Sequence, residues 1–263
     1  MSCCLTLACL IGPIIGGALA EDSAWRWVFL INTSFVTGAP FNVVLVYVPQ
    51  QAQILLDKSP LDSGIYLIGY SAVAAAAAAL INIVSSKGRI PFIYSLLVGC
   101  VVHTVGVGLL STIATSHGFR ATDIVYGVIA GIGMGLILGV LMLATPYIVE
   151  DRDLAIATGT VVQLRFLGGA MGLAIASNIL NGHLAHHLQN ILSPHELHLF
   201  LENVKSITNF SPQLQDTVKG FFAASYNTQL RVMIGFAAAQ LPAVLLLIKP
   251  GQRQLAADRA AGG

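Results

Sequence analysis

One charged side chain stands deep inside an apolar stretch of this sequence. Arg165 is the only Lys, Arg, Asp or Glu well inside a segment, residues 154–180, that is apolar enough to lie in a bilayer. Since burying a charge there is costly, its guanidinium must face a helix-bundle interior, a partner or a water-filled cavity. It would either line a polar path across the bilayer, together with Gln163, or bind helix-end carbonyls or the carboxylate of Glu150 or Asp153. The residues alone leave both interpretations open.

Histidines form the second group of side chains that could do chemistry. Five of them lie close together, at positions 183, 186, 187, 195 and 198. Imidazoles at helical spacing could bind a metal ion, but the pattern H-E-x-x-H is absent, because residues 195–198 read H-E-L-H. We therefore expect a solvated loop and no metal site.

The cysteines offer no framework for a disulfide or a zinc ion. All four lie inside apolar runs without paired loop spacing, which favours small buried hydrophobes; they are Cys3, Cys4, Cys9 and Cys100. No nucleophile–base pair is visible either. We expect no cofactor and no enzymatic activity.

Glycines recur at a spacing that suits helix packing. Residues 131–135 read G-x-G-x-G, which is not the G-x-G-x-x-G nucleotide fingerprint and follows no predicted strand. Glycines four residues apart instead place a smooth stripe on one helix face, against which another helix can approach closely. This interpretation covers Gly131, Gly135 and Gly139, and also Gly168 and Gly172.

Composition determines what kind of element carries these residues. The chain is 56% hydrophobic and 10% charged, whereas an average soluble domain is about 25% charged. A soluble surface needs more charge than this, but lipid requires the opposite. The net charge of +1 gives no indication of a nucleic-acid partner. The partner indicated by composition is the lipid bilayer.

Apolar runs predict an all-α fold, a polytopic bundle of about seven transmembrane helices. A spanning helix needs about 20 apolar residues, and backbone in lipid must satisfy its own hydrogen bonds. A β-barrel would alternate polar and apolar residues, which these runs do not. The runs cover residues 1–20, 27–56, 63–86, 90–116, 124–149, 154–180 and 232–248.

These runs divide the chain into five parts. We expect two helices over residues 1–56, four over 57–182, a polar loop with short amphipathic helices outside the bilayer over 183–228, a last helix over 229–249 and a disordered tail over 250–263. The run 27–56 is one span, which Pro40 and Pro49 are expected to kink. Residues 18–20, Ala-Leu-Ala, resemble a signal-peptidase site, but no basic region precedes the apolar run, so we favour a helix.

A longer motif near the start of the chain carries a family resemblance. Residues 12–17 read G-P-x-x-G-G on a helix with small residues every four positions, and residues 25–32 read W-R-W-x-F-x-I-N. Taken alone, the first part is also typical of generic helix packing. Together they resemble helices 5 and 6 of the fourteen-helix drug:proton antiporter family of the major facilitator superfamily, especially its fungal members. Gly12, Pro13, Gly16 and Gly17 are similar to that family's antiporter motif, with Ala8 in place of its first glycine.

The resemblance continues through most of the chain. Residues 40–64 resemble the ninth helix of that family and the loop after it, with Ala52 where an aromatic residue is usual. Residues 87–89, K-G-R, resemble its basic cytoplasmic loop, residues 126–135 its helix 12, and residues 157–172 its helix 13. The resemblance implies a partial major facilitator fold.

This family resemblance also implies a function and a path. The expected protein is a multi-pass transporter, in the plasma membrane, that exports small amphipathic compounds such as drugs or secondary metabolites. We take Tyr47, Gln53, Gln163 and Arg165 as its substrate path. The resemblance places the loop 183–228 outside the cell.

Against the family pattern, parts of the transporter are missing. The chain begins at what resembles helix 5 and joins the start of helix 6 to helix 9 within one span, so the helices that carry the family's proton-coupling carboxylates are absent. In the family both ends of that joined span would face outside, so one part must be inverted; we favour family topology for the later helices. The alternative to a transporter is a truncated, non-transporting protein, degenerate or a half that pairs with another chain.

Overall fold

The computed structural model describes residues 25–86, 92–113, 121–148, 154–189 and 212–246. Within these ranges the chain forms six helices and no strand, which confirms the expected all-α membrane helix bundle. The helices are α1 (Trp25–Leu55), α2 (Pro60–Ser86), α3 (Phe92–Leu110), α4 (Ala121–Ile148), α5 (Leu154–Leu188) and α6 (Pro212–Leu245).

Five of these helices, α2 to α6, are long and apolar enough to cross a bilayer. A helix pairs its backbone groups internally, as hydrocarbon requires. The first helix, α1, is not among the five, so its spanning stays a prediction. The predicted helix over residues 1–20 lies outside the described residues, and with it the antiporter-like motif of Gly12, Pro13, Gly16 and Gly17.

The start of α2 is set by a local hydrogen-bonding pattern. The Asp62 backbone N–H donates to Ser59 Oγ at 3.1 Å, and this hydroxyl donates to the Asp62 carboxylate at 2.9 Å. Ser59 is thus the N-cap, and Pro60 occupies the first helical position, where a missing N–H is harmless. Because only four residues separate α1 from α2, the two helices run in opposite directions.

Contacts between helices show that all six alternate in direction. The α1 and α5 helices are parallel, since Phe35 lies against Gly168 and Ala39 against Gly172. Contacting residues follow the same order along α2 and α4, so these two helices are parallel. The order is reversed between α3 and α4 and between α3 and α6, so these pairs are antiparallel. The bundle therefore has a Trp25 end, where α1, α3 and α5 begin, and a Leu55 end, where they finish.

The helices pack as a ring of five with one helix outside it. Around the ring, α1 contacts α2, α2 contacts α4, α4 contacts α3, α3 contacts α6 and α6 contacts α1, while α5 packs on α1 and α6. Most buried apolar residues form one cluster through this ring, including Met134, Phe222, Tyr226 and Met233. A smaller cluster between α3 and α4 includes Ile93 and Ile137.

Glycines of α4 lie where α2 crosses closest. A β-carbon at Gly131 would lie 2.5 Å from the Tyr70 carbonyl oxygen, and one at Gly139 would lie 3.0 Å from the Ala78 Cα. Gly135, between them, faces the carbonyl of Ala74 in the same way. All three glycines of the predicted stripe therefore lie on the face of α4 that contacts α2.

Helix bounds near the C-terminus differ from the prediction. Helix α5 continues to Leu188, and α6 begins at Pro212 rather than near residue 229. Residues 183–188 and 212–228 therefore continue the two long helices rather than forming short separate ones. A helix of 34 residues is about 51 Å long, which exceeds the ~30 Å hydrocarbon core. The polar first turns of α6, which led to the prediction of a loop, lie at the Leu55 end of the bundle.

Helix α1 is continuous across both of its prolines. Pro40 and Pro49 lie inside a single helix of 31 residues, so the ends marked by Trp25 and Gln53 are at opposite ends of the bundle. The expected kinks stay predictions. The expected disordered tail, 250–263, lies outside the described residues.

Candidate functional site

Small residues hold α5 closely against α1. A β-carbon at Gly38 would lie 2.9 Å from the Gly169 nitrogen, and one at Gly172 would lie 2.6 Å from the Ala39 Cα. Gly168 faces the backbone of Phe35 in the same manner. We call this contact the α1–α5 seam. Because both sides are backbone, it fixes which way the remaining faces of α5 point.

Another face of α5 borders an open depression of about 760 Å³. Among the described residues it is lined by Leu154, Ala155, Thr158, Gly159, Val162 and Gln163. These positions fall on one side of the first turns of the helix, and most are apolar or small. The Thr158 hydroxyl donates to the Leu154 carbonyl at 2.9 Å, while Gln163 is exposed.

Arg165 lies beside this depression, on the side of the seam. Its side chain is half-buried, and its Nε is buried without a hydrogen-bond partner among the described residues. The guanidinium carbon lies 5.6 Å from the centroid of the Phe166 ring. Since Phe166 follows Val162 by one helical turn, the ring stands at the end of the depression. Arg165 and Gln163 are about 200° apart around the helix, so they point to different sides.

Helix registers place Arg165 near the middle of the bilayer. Gly108 of α3 faces Ile234 of α6, and Gln229 of α6 bonds to the Ala176 carbonyl of α5. Counting residues along these helices puts Arg165 level with about residue 102 of α3. Helix α3 has 19 residues and a length of about 28 Å, so its midpoint is about the midpoint of the hydrocarbon core.

Within the described residues no carboxylate neutralises Arg165. The ion pair that they contain joins Lys219 to Asp57 at the Leu55 end. Glu150 and Asp153, the carboxylates considered for Arg165, lie outside the described residues.

The other two predicted path residues lie in a different part of the bundle. The Tyr47 hydroxyl is 2.8 Å from Ser177 Oγ, and its ring centroid is 6.0 Å from that of Tyr226. Ser177 is twelve residues, or about 18 Å, beyond Arg165 along α5. Gln53 is half-buried and lies further toward the Leu55 end. The structure therefore does not bring the four residues together: Gln163 lines the depression, Arg165 lies at the seam beside it, and Tyr47 takes part in helix packing.

Sequence comparison identifies the relatives of this bundle. No protein-family model matches the chain. It is 31% identical over 225 residues to the MFS-type transporter FPY5 of Fusarium mangiferae, covering 86% of this chain and 38% of that protein. It is 27% identical over 221 residues to the MFS-type transporter ppz2 of Metarhizium majus, covering 81% of this chain and 38% of that protein. The chain belongs to the major facilitator superfamily.

Other relatives of this major facilitator chain are efflux pumps. It is 30% identical over 165 residues to the efflux pump hmp6 of Hypomyces subiculosus, covering 61% of this chain and 28% of that protein. The family read from the glycine-proline and tryptophan motifs is therefore confirmed, as is the partial major facilitator fold. The chain spans less than two fifths of the length of the curated relatives it matches.

Sequence reasoning missed a polar cluster between α5 and α6 of this facilitator chain. Gln229 Nε2 donates to the Ala176 carbonyl at 2.8 Å, and Gln229 is fully buried. The buried Tyr226 hydroxyl and Gln229 Oε1 have no partner among the described residues. The polar residues in the sequence of α6 could have indicated this cluster, but the expected loop over 183–228 placed some of them in solvent.

Arg231 also lies inside α6, as it does in the expected last helix over 229–249. Arg165 is therefore not the only charged residue within a membrane helix. Arg231 is exposed, and the contact of Ile234 with Gly108 places it near the level where α3 ends at Leu110. A long cationic side chain at that depth can reach the bilayer surface. It differs in this respect from Arg165.

Three of the five histidines are helical rather than in a solvated loop. His183 and His187 stack with ring centroids 4.2 Å apart, and His183 Nδ1 is 2.9 Å from Ser225 Oγ of α6. His187 packs on Phe221, with centroids 4.8 Å apart. In the described part of the chain no group of three or more His, Cys, Asp or Glu side chains is arranged to hold a metal. These histidines thus help to join α5 to α6; His195 and His198 lie outside the described residues.

Proposed function

We propose that this chain is part of a plasma-membrane exporter of small amphipathic compounds, and that it is a transporter rather than an enzyme. The observation that carries the proposal is the open, mostly apolar depression on α5 with a half-buried cation beside it at mid-membrane depth. Transporters bind substrates near the bilayer midplane, at an interface between two halves. Named relatives that are transporters and efflux pumps support the same reading.

Proteoliposome flux tests this proposal directly. The purified chain would be reconstituted, and efflux of a fluorescent amphiphile measured with and without a pH gradient. Protein-dependent flux above that of empty liposomes is expected. A preparation that is helical and monodisperse in detergent, yet shows no flux under either condition, would reject transport by this chain.

A second candidate function is a half-transporter that pairs with another chain. The chain spans 38% of the length of its FPY5 relative, and a row of large apolar side chains on α2 is exposed, namely Ile65, Ile68, Leu80 and Ile83. Sequencing the transcript and its genomic flanks distinguishes the two candidates. A continuous longer reading frame would show that the further helices belong to the same protein; a closed frame would favour a separate partner.

A further inference from the structure

We propose that Arg165 makes this site selective for anionic amphiphiles, with the guanidinium binding a carboxylate or similar anionic group of the substrate. This inference rests on the proposed transport function and names the substrate class for the α5 depression. It is carried by the position of the cation, by the lack of an anionic partner for it among the described residues, and by the shape of the adjoining surface.

At its depth in the bilayer, the charge of Arg165 is costly in free energy unless a partner or water stabilises it. Arg165 lies at about the middle of the hydrocarbon core by helix register, at a depth where a cation needs a partner or water. The seam holds it there, because Gly38 packs directly on the Arg165 main chain. The α5 helix cannot slide to bring this residue to the bilayer surface without breaking that contact.

Within the described residues the guanidinium lacks an anionic partner. Its Nε is buried and unbonded among these residues, and its guanidinium carbon lies 5.6 Å from the centroid of the Phe166 ring. A ring face attracts a cation but accepts no strong hydrogen bond, so it leaves the planar donor fork of Arg165 available. Planar bidentate recognition of a carboxylate is the interaction for which this fork is best suited.

The adjoining surface supplies the apolar half of the recognition. The depression runs along α5 from Leu154 to Gln163, and Phe166 follows the lining residue Val162 by one helical turn. An amphiphile lying in it would place its apolar body on Ala155, Gly159 and Val162, and its charged head at Arg165. The length of the lined segment, from 154 to 163, is about 14 Å, which accommodates an acyl chain of about ten carbons.

A binding comparison between two ligands tests the inference without any need for transport. The full chain would be placed in nanodiscs and titrated with 11-(dansylamino)undecanoic acid and with its methyl ester, with empty nanodiscs subtracted. The two probes share the apolar body and differ in charge. We expect the acid to bind at least about tenfold more tightly than the ester. Equal affinities on the unaltered chain would overturn the inference.

Matched variants then locate the preference. Arg165→Gln should abolish the preference for the acid, whereas Arg231→Gln, which removes the same charge from α6, should keep it. Arg165→Lys should keep only part of it, since an ammonium lacks the planar fork. Persistence of the full preference in Arg165→Gln would refute the assignment, and the ligand comparison on the unaltered chain stands if that variant does not fold.

Failure of this inference can be told apart from failure of the proposed function. If the acid is preferred but no flux occurs, anion recognition stands and transport by this chain fails. If flux occurs and the ester moves as fast as the acid, transport stands and the anion selectivity is wrong.

Discussion

Replacing Gly168 by alanine should weaken the bundle more than any gain in helix propensity can offset. A β-carbon there would lie 2.8 Å from the Phe35 carbonyl carbon and 3.2 Å from the Phe35 Cα, and closer still to the carbonyl oxygen. These atoms belong to the backbone of α1, so no side-chain rotation can relieve the overlap. The α1–α5 seam must open.

The size of the effect follows from that geometry. Ordinary contact begins at 3.4 Å, so the helices must separate locally by about 1 Å, which forfeits a quarter to a half of the dispersion energy of each contact along the seam. Overpacking of this kind costs about 1–3 kcal/mol. Alanine regains up to ~1 kcal/mol over glycine in helix propensity. With that gain subtracted, the net loss in the free energy of unfolding should be up to about 2 kcal/mol.

Gly182→Ala is the matched control on the same helix, because a β-carbon there meets nothing within 4 Å. Gly182→Ala should therefore gain only the higher helix propensity of alanine, without any packing cost. Both variants would be unfolded reversibly in mixed micelles by titration with dodecyl sulfate, with helical circular dichroism as the signal. We expect the order Gly182→Ala, unaltered chain, Gly168→Ala from most to least stable. If Gly168→Ala were as stable as the control, the close seam would be wrong.

Three further predictions concern other contacts. Tyr47→Phe should lower the free energy of unfolding by about 0.5–1.5 kcal/mol through loss of the Ser177 bond, and a double-mutant cycle with Ser177→Ala should show coupling between the two sites. With the other three cysteines replaced by serine, Cys100, which is 0% exposed, should react with N-ethylmaleimide far more slowly in the folded than in the unfolded chain; equal rates would contradict its burial. Lys219→Ala should cost less than ~1 kcal/mol, and high salt should remove the difference, because the Asp57 carboxylate is largely exposed.

Helical class and family could be predicted from the sequence because lipid leaves few alternatives. Long runs without charge must be helices, and the spacing of Gly131, Gly135 and Gly139 predicted a close contact face whose partner, α2, only the fold reveals. The end of α5 and the start of α6 were misjudged for one reason. Polar residues such as His183 and Ser225 were expected in a solvated loop, although they hydrogen-bond to each other across the α5–α6 contact.

The candidate site was predicted only in part. An arginine within an apolar run marks a costly position in any fold, so Arg165 could be selected without coordinates. Closeness in sequence did not show whether Arg165 and Gln163 share a helix face, and residues two apart on a helix point in different directions. Tyr47 is a residue type that can line a substrate path, yet its hydroxyl hydrogen-bonds to Ser177. Which side of a helix is packed depends on distant residues, and the local pattern does not contain that information.

Helix α1 joins two parts whose expected directions across the bilayer conflict, and the fold shows which direction the helix takes. Helix α1 contacts α5 at Phe35, Gly38, Ala39, Asn42 and Tyr47, among other positions. Asn42 and Tyr47 lie in the part that resembles the ninth helix, and the other three lie just before it. Together these contacts set α1 parallel to α5, which is itself antiparallel to α6. Since the helix is continuous, its tryptophan-rich start is carried to the opposite end of the bundle. We infer that the later helices keep the family topology and that the segment resembling helices 5 and 6 is the inverted part, because reversing α1 would break the α1–α5 seam along its whole length.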